Sequence, residues 1–501
     1  MPTTQRSDSP VTSVAAALRS PKRLRTEVLA GLVVALALIP EAISFSIIAG
    51  VDPRVGLFAS FTMAVTIAIT GGRPAMISAA TGAVALVVAP VVRDHGLDYL
   101  IATVILGGVI QVALSVAGVA KLMRFIPRSV MVGFVNSLAI LIFLAQLPHL
   151  FGVPWLVYPM IAVGLAIIVG LPKLTTAVPA PLVAIVVLTT VTLVFALHVP
   201  NVGDEGELPS SLPIPLLPDV PLTLETLRII APYALAMALV GLLESLLTAK
   251  LVDDITDTHS DKTREGWGQG IANIVTGFFG GMGGCAMIGQ TMINVKVSGA
   301  RTRISTFLAG AFLLILVVGL GGLVAQIPMA ALVAVMIMVS VGTMDWHSLA
   351  PATLRRMPLA ETTVMLVTVG VTVATHNLAY GVIAGVLTAM VAFAHRVAHF
   401  TEVHPDPDAA ESTDTRVYKV RGELFFASSN DLVYQFDYAG DPRNIVIDMS
   451  ETHIWDASTV AALDAITTKY AAKGKRVEIR GLNEASVARH RRLSGHLAAA
   501  H

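Results

Sequence analysis

The chain has 501 residues, 54% of them apolar and 14% charged, with 34 basic side chains balancing 34 acidic ones. A mean hydropathy of +0.74 excludes a soluble globular protein and points to a chain that lives mostly in lipid. The lone cysteine, Cys285, excludes an intrachain disulfide framework, and with no His beside it a packing role outweighs a nucleophilic one.

Apolar stretches near or above the roughly 20 residues needed to cross a bilayer recur from about Val28 to Phe400. Their Ala, Val, Leu, Ile and Gly content suits closely packed helices and lacks the alternation of an outer-membrane barrel. A basic tail with Arg19, Lys22, Arg23 and Arg25 precedes the first span. No small-residue cleavage site follows, so this helix is expected to stay. The pattern predicts fourteen spans near 28–49, 54–71, 78–92, 98–120, 129–147, 154–171, 179–198, 227–251, 268–281, 285–296, 304–325, 328–343, 360–376 and 379–398.

Orientation follows from Lys and Arg in the short loops. The N-terminal tail, Arg73, Lys121, Arg124, Arg128, Lys173, Lys262, Arg264, Arg301, Arg303, Arg355, Arg356 and Arg396 fall on one side when the spans are counted alternately. The loop from Pro200 to Pro221, with Asp204, Glu205, Glu207 and Asp219, falls on the other, and Arg93 is the exception. Both termini are therefore expected in the cytoplasm. Cutting at the acidic loop leaves seven spans on each side, and an odd-numbered repeat must insert in opposite orientations. The expected fold is an α-helical membrane protein with fourteen transmembrane segments in a 7+7 inverted repeat, plus a small cytoplasmic α/β domain. The boundaries are a cytoplasmic segment 1–26, a transmembrane domain 27–400 (repeats 27–199 and 225–400), a linker 401–414 and a terminal domain 415–501.

In each half an acidic residue interrupts an apolar span, and about 40 residues later comes a short apolar segment broken by Gly and Ala. Glu41 is followed by SAATGAVALVV from Ser78, and Glu244 by GGCAMIGQTMINV from Gly283. Matched interruptions of this kind point to a transporter's binding site. A carboxylate at bilayer depth costs roughly 2.5–3.5 kcal/mol on insertion scales and marks a pathway by default. A helix that begins inside the bilayer leaves its first N–H groups unpaired, with about half a positive charge there. Two such starts face to face make an anion site that needs no cationic side chain. The candidates are Ser78, Thr81 and Gly82 at the first break and Cys285, Ala286 and Met287 at the second, with Gly283, Gly284 and Gly289 alongside. Packing of small residues between helices is the competing reading.

Glu244 and Thr248 stand four residues apart on one helix face. A carboxylate and a hydroxyl near unwound backbone can hold Na⁺, and a buried Glu can carry a proton; sequence alone leaves both open. Glu41 follows Pro40, which should bend its helix, and serves either as a second proton site or as a polar latch. The five His near span ends show no zinc spacing, and Asp253, Asp254 and Asp257 read as a solvated helix end. No Walker loop, dinucleotide fingerprint or nucleophile elbow is present, so neither ATP-driven pumping nor enzyme chemistry has support. After the linker, RVYKVRGELFFAS reads as two strands around an Arg421-Gly422 turn, NIVIDMS as a buried strand, DASTVAALDAITTKYAAKG as a helix and KRVEIRG as a further strand. That order describes a small α/β domain.

At ALIPEAISFSIIAGVDPRVGLFAS, ITGGRPAMISAATGA, LLESLLT and GFFGGMGGCAMIGQTMINVKVSGARTRIS the chain resembles the SulP anion transporters, and its C-terminal part resembles a STAS domain. The likeness covers nearly the whole chain. It implies a core domain of spans 1–4 and 8–11 moving against a gate domain of spans 5–7 and 12–14, usually in a homodimer. It implies an anion between the starts of spans three and ten, at Ser78, Thr81 and the backbone amides of Ala286 and Met287. In Na⁺-coupled members an Asp and a Thr four residues on bind sodium; Glu244 and Thr248 align with them, and Glu for Asp shifts the expectation toward H⁺. Gln290 stands where many relatives carry a basic residue. Ser458 is the nearest match to a phosphorylatable Ser, with a helix-capping Ser as the plainer reading.

The function expected is secondary active transport of inorganic anions, sulfate first and bicarbonate second, across the cytoplasmic membrane. H⁺ or Na⁺ would be the coupling ion and an elevator-like movement the mechanism; a passive channel and a dicarboxylate transporter are the alternatives. No cofactor beyond a possible Na⁺ and no nucleic acid partner is expected. A regulatory protein bound to the STAS domain is possible.

Overall fold

The computed structural model describes residues 13–119, 126–175, 179–398, 401–406 and 414–495. Lys121 and Arg124, used in the orientation count, lie outside them. The chain divides into two compact units, 1–386 and 387–501.

Fourteen helices follow the predicted spans: α1 (Pro21–Ala49), α2 (Pro53–Thr70), α3 (Gly82–His95), α4 (Leu97–Val116), α5 (Arg128–Leu144), α6 (Val157–Gly170), α7 (Ala180–Val194), α8 (Leu224–Thr256), α9 (Lys262–Phe278), α10 (Ile288–Met292, continued by a π-helical turn Ile293–Val297), α11 (Arg303–Val324), α12 (Met329–Thr343), α13 (Leu359–Thr375) and α14 (Leu378–Ala398). Among the described residues seven helices are long and apolar enough to cross a bilayer, and four apolar ones are shorter. The short third and tenth helices are preceded by two-residue strands, β1 (Ser78–Ala79) and β2 (Cys285–Ala286). Ser78 and Cys285 therefore sit in extended chain ahead of their helices. Helix α9 starts six residues before the predicted 268, because polar residues fill its first turns.

The packing pairs repeat with an offset of seven. Contacts of α1 with α11, α2 with α11, and α5 with α13 are matched by those of α8 with α4, α9 with α4, and α12 with α6. Helices α1–α4 and α8–α11 thus pack as one bundle and α5–α7 with α12 and α13 as another, the geometry of an inverted repeat. Within the first bundle α4 and α9 touch backbone to backbone. A methyl on Gly108 would lie 2.6 Å from the Gly270 carbonyl, and one on Gly270 equally close to that of Gly108.

Buried polar groups hold the loops. Glu27 of α1 accepts the amides of Arg301, Thr302 and Ser305 at 2.8–3.2 Å, satisfying the start of α11. Asp253 is not a solvated helix end. Its side chain is 11% exposed, accepts Arg73 Nη1 at 2.9 Å, and pairs with Lys262. A buried guanidinium demands such a partner, so the acid was recruited inward. Two more basic residues join Arg93 on the end the loop count makes outer: Arg228 begins α8, and Arg54 pairs with Glu207 of the acidic loop.

The second unit carries a four-stranded sheet in the order β3 (Glu402–Pro405), β4 (Thr415–Leu424), β5 (Asn444–Ile454), β6 (Arg476–Arg480). Strand β3 runs antiparallel to β4, and the remaining pairs are parallel. Helices α15 (Phe426–Leu432), α16 (Ala457–Ala471) and α17 (Glu484–Leu493) complete it. Arg421-Gly422 is no turn: β4 is continuous, and the positive φ of Gly422 follows a register shift between Lys419 and Arg421. The linker's start is likewise a strand. Asp456 caps α16 by accepting the Thr459 amide, which displaces the capping role read for Ser458; that residue is exposed. Asp441 is buried beneath the hydroxyls of Tyr418 and Tyr470.

Candidate functional site

The two breaks meet. Ser78 pairs with Ala286 and Ala79 with Cys285 in an antiparallel bridge, so the starts of α3 and α10 are tied together. The backbones come so close that a Cβ on Gly284 would overlap the Ala79 carbonyl, which only glycine permits.

A cavity of about 340 Å³ opens in front of both starts. Thr81 and Gly82 from α3, and Met287, Ile288 and Gly289 from α10, form one wall with Glu41 and Phe45 of α1 and Glu244 of α8. Helices α5 and α12 supply the other wall through residues such as Phe134, Leu138, Val339 and Thr343. The site thus lies between the two helix bundles. Among the described residues no Lys, Arg or His lines it, and the only charged side chains in its wall are the two carboxylates.

The first turns of α3 and α10 have N–H groups with no partner inside their own helices. Thr81 Oγ1 accepts the Val84 amide at 3.3 Å, whereas α10 has no side-chain cap. Its Thr291 amide is the first to close a helical bond, onto the Met287 carbonyl at 3.1 Å. The amides of Ile288, Gly289 and Gln290 therefore start the helix, and Ile288 and Gly289 face the cavity.

The amides implied by the resemblance lie two residues too early. Ala286 N–H donates to Ser245 Oγ at 3.1 Å, and Met287 N–H donates to the Ile77 carbonyl at 2.9 Å. Ser78 also turns away, since Gln269 Nε2 reaches its hydroxyl at 2.6 Å and it is absent from the cavity wall. Cys285 is fully buried behind the wall, its thiol donating to Glu244 Oε2 at 2.9 Å and lying 3.1 Å from Thr81 Oγ1. The Thr248 hydroxyl donates to the Glu244 main-chain carbonyl at 2.7 Å rather than facing the carboxylate. Glu41 is hydrogen-bonded to the Gln290 side chain, whose Oε1 has no partner.

Sequence reasoning passed over α9. Glu265, Gln269, Asn273 and Thr276 are wholly buried along one face. Gln269 holds Ser78 and Glu265; Asn273 holds Gln111 and both main-chain groups of Gly284. Their spacing of four, four and three in an otherwise apolar span was the available signal.

The sulfate permease family model matches residues 24–163 and 159–368, and the STAS domain model matches 406–498. The chain is 57% identical to "Putative sulfate transporter YbaR" of Bacillus subtilis (strain 168) over 463 residues, 92% of this chain and 95% of that one. It is 26% identical to the bicarbonate transporter BicA of Picosynechococcus sp. (strain ATCC 27264 / PCC 7002 / PR-6), covering 89% of this chain and 86% of that one. The solved structure of murine Slc26a9, an anion transporter in the inward-facing state, superposes with a TM-score of 0.80 at 17% identity, covering 98% of this chain and 92% of that one. The transmembrane domain of a cyanobacterial BicA gives 0.64 at 24% identity, over 74% of this chain and 98% of that one.

Proposed function

The chain belongs to the sulfate permease family, and from that footing we propose that this multi-pass anion transporter carries sulfate together with a proton across the cytoplasmic membrane. Bicarbonate is the second choice of substrate. The single observation behind the reading is the cavity that collects two uncapped or half-capped helix starts and two carboxylates, with no basic side chain in its wall.

The charge balance supports a proton. Each helix start offers about half a positive charge. At an effective dielectric near 20, one ionised carboxylate about 6 Å from a monovalent anion opposes it by roughly 3 kcal/mol, and a divalent anion by about twice that. Two helix starts cannot offset two such carboxylates. A proton on Glu244 removes one of these repulsions, so anion and proton favour each other's binding. Thr248 turns its hydroxyl hydrogen onto the helix backbone and is absent from the cavity wall, so a sodium ion in the cavity would lack it as a ligand.

The elevator-like step is a displacement of the bundle holding α3 and α10 against the one holding α5 and α12, carrying the occupied cavity between the two faces. A cytoplasmic location of both termini and assembly as a homodimer are part of the proposal.

Uptake of labelled sulfate into proteoliposomes tests the reading. An inwardly directed proton gradient is expected to drive accumulation and a sodium gradient to leave it unchanged. Uptake indifferent to both gradients would defeat the coupling. Glu244→Gln should abolish accumulation while leaving sulfate exchange intact; unchanged accumulation would exclude Glu244 as the carrier.

A further inference from the structure

Thr81, Cys285 and Glu244 form a hydrogen-bonded row of three side chains, and the middle one is the only thiol in the protein. Cys285 Sγ donates to Glu244 Oε2 at 2.9 Å and lies 3.1 Å from Thr81 Oγ1, which accepts the Val84 amide at 3.3 Å. Thr81 and Glu244 line the cavity and Cys285 does not. A thiol has one hydrogen. While it points at Glu244, sulfur can only accept from Thr81, so the threonine hydroxyl hydrogen is held on sulfur and withheld from the cavity.

Building on the proton-coupled reading, we propose that Cys285 is a positioning residue that converts protonation of Glu244 into a new hydrogen-bond donor for the anion. With a proton on Oε2 the carboxyl becomes the donor and sulfur accepts. The S–H then turns to Thr81 Oγ1, whose two lone pairs are filled by the thiol and by Val84 N–H. The threonine O–H is left to swing into the cavity beside the amides at the helix starts. No hydrogen is transferred along the chain; each hydroxyl and thiol keeps its own, and the one proton gained is taken by Glu244 from water in the cavity. A donor to an anion is charge-assisted and stronger than a neutral one. Linkage then requires bound anion to favour the proton on Glu244 to the same degree.

Among the acids near it, Glu244 is the one that touches Cys285. Glu41, across the cavity on α1, is bonded to Gln290. Glu265 on α9 is engaged by the Gly72 and Arg73 amides and by Gln269. Asp253, further along α8, is paired with Arg73 and Lys262. The cavity residues of α5 and α12 include no titratable group.

Because the protein has one cysteine, its infrared S–H stretching band reports on Cys285 alone. In the full-length wild type the band should move to higher frequency on acidification, as the thiol's acceptor changes from carboxylate to hydroxyl; in Glu244→Gln it should stay fixed. A band that ignores pH in the wild type would overturn the proposal. In proteoliposomes Cys285→Ser, which can both donate and accept, should keep the fall in sulfate KM on acidification. Cys285→Ala should keep only the part of that fall that loss of the Glu244 charge supplies, leaving the acid-side KM roughly tenfold weaker, and adding Thr81→Val should make it no worse. Wild-type pH dependence in Cys285→Ala would also overturn it, and the serine variant shows whether the site tolerates replacement. Should the wild type move no sulfate under a proton gradient while the S–H band still shifts, the transport reading falls and the relay stands.

Discussion

At the scale of single residues, the acids were legible and their partners were not. Glu41 and Glu244 stand out because a carboxylate in an apolar run is costly. What each one touches depends on chain segments far apart in sequence: Cys285 lies 41 residues from Glu244, and Thr81 lies 204 residues from Cys285. The amides of Ala286 and Met287 looked free because their acceptors, Ser245 and Ile77, come from other segments. Asp253 misled for the same reason, since a third acid near a helix end reads as solvated until Arg73 is placed beside it. Asp253→Asn should leave the Arg73 and Lys262 charges without their counter-ion and cost about 3–5 kcal/mol. A thermal melt of purified protein checks this, with a clear fall in Tm expected and no change contradicting it.

Helices and strands were legible wherever hydrophobic period decided them. All fourteen apolar runs became helices, and β5, α16 and β6 follow their patterns. Misreadings came where tertiary pairing overrode local signals. Gly422 looked like a turn but sits in a bulged strand, and the polar linker supplies β3 because β4 offers it an edge. The contact between α4 and α9 is a backbone contact, so Gly270→Val should push the helices apart and cost about 1–3 kcal/mol. Gly342→Ala, where a methyl meets nothing within 4 Å, is the control and should not lower the melting temperature, because Ala is the better helix former. In the terminal domain burial raises the phenols of Tyr418 and Tyr470, with Asp441 adding to the shift, and pushes Tyr438 up to about 12. A phenol whose pKa is raised by folding binds its proton more tightly in the native state, so its contribution is complete below the unfolded value near 10 and is lost as pH climbs past it. Melts of residues 401–501 followed by circular dichroism should therefore fall between pH about 10 and about 12, and Tyr438→Phe should flatten that fall.

For the whole molecule, the alternation of basic and acidic loops and the seven-plus-seven count carried the architecture, and the offset of seven in helix contacts expresses the same repeat in three dimensions. The cavity itself was only half legible: the inner wall of helix starts and acids came from paired sequence breaks, while the apolar wall from α5 and α12 has no motif to announce it. In the proposed elevator-like step, its position between the two bundles would let their relative displacement expose it to one face and then the other. In the proposed cycle sulfate and a proton occupy this cavity together and cross together. Proteoliposomes of the full chain loaded with a pH-sensitive dye, at equal pH on both sides, test it most directly when sulfate is added outside. The lumen should acidify in wild type and stay constant in Glu244→Gln; sulfate entering the wild-type vesicles with no movement of protons would rule out joint transport.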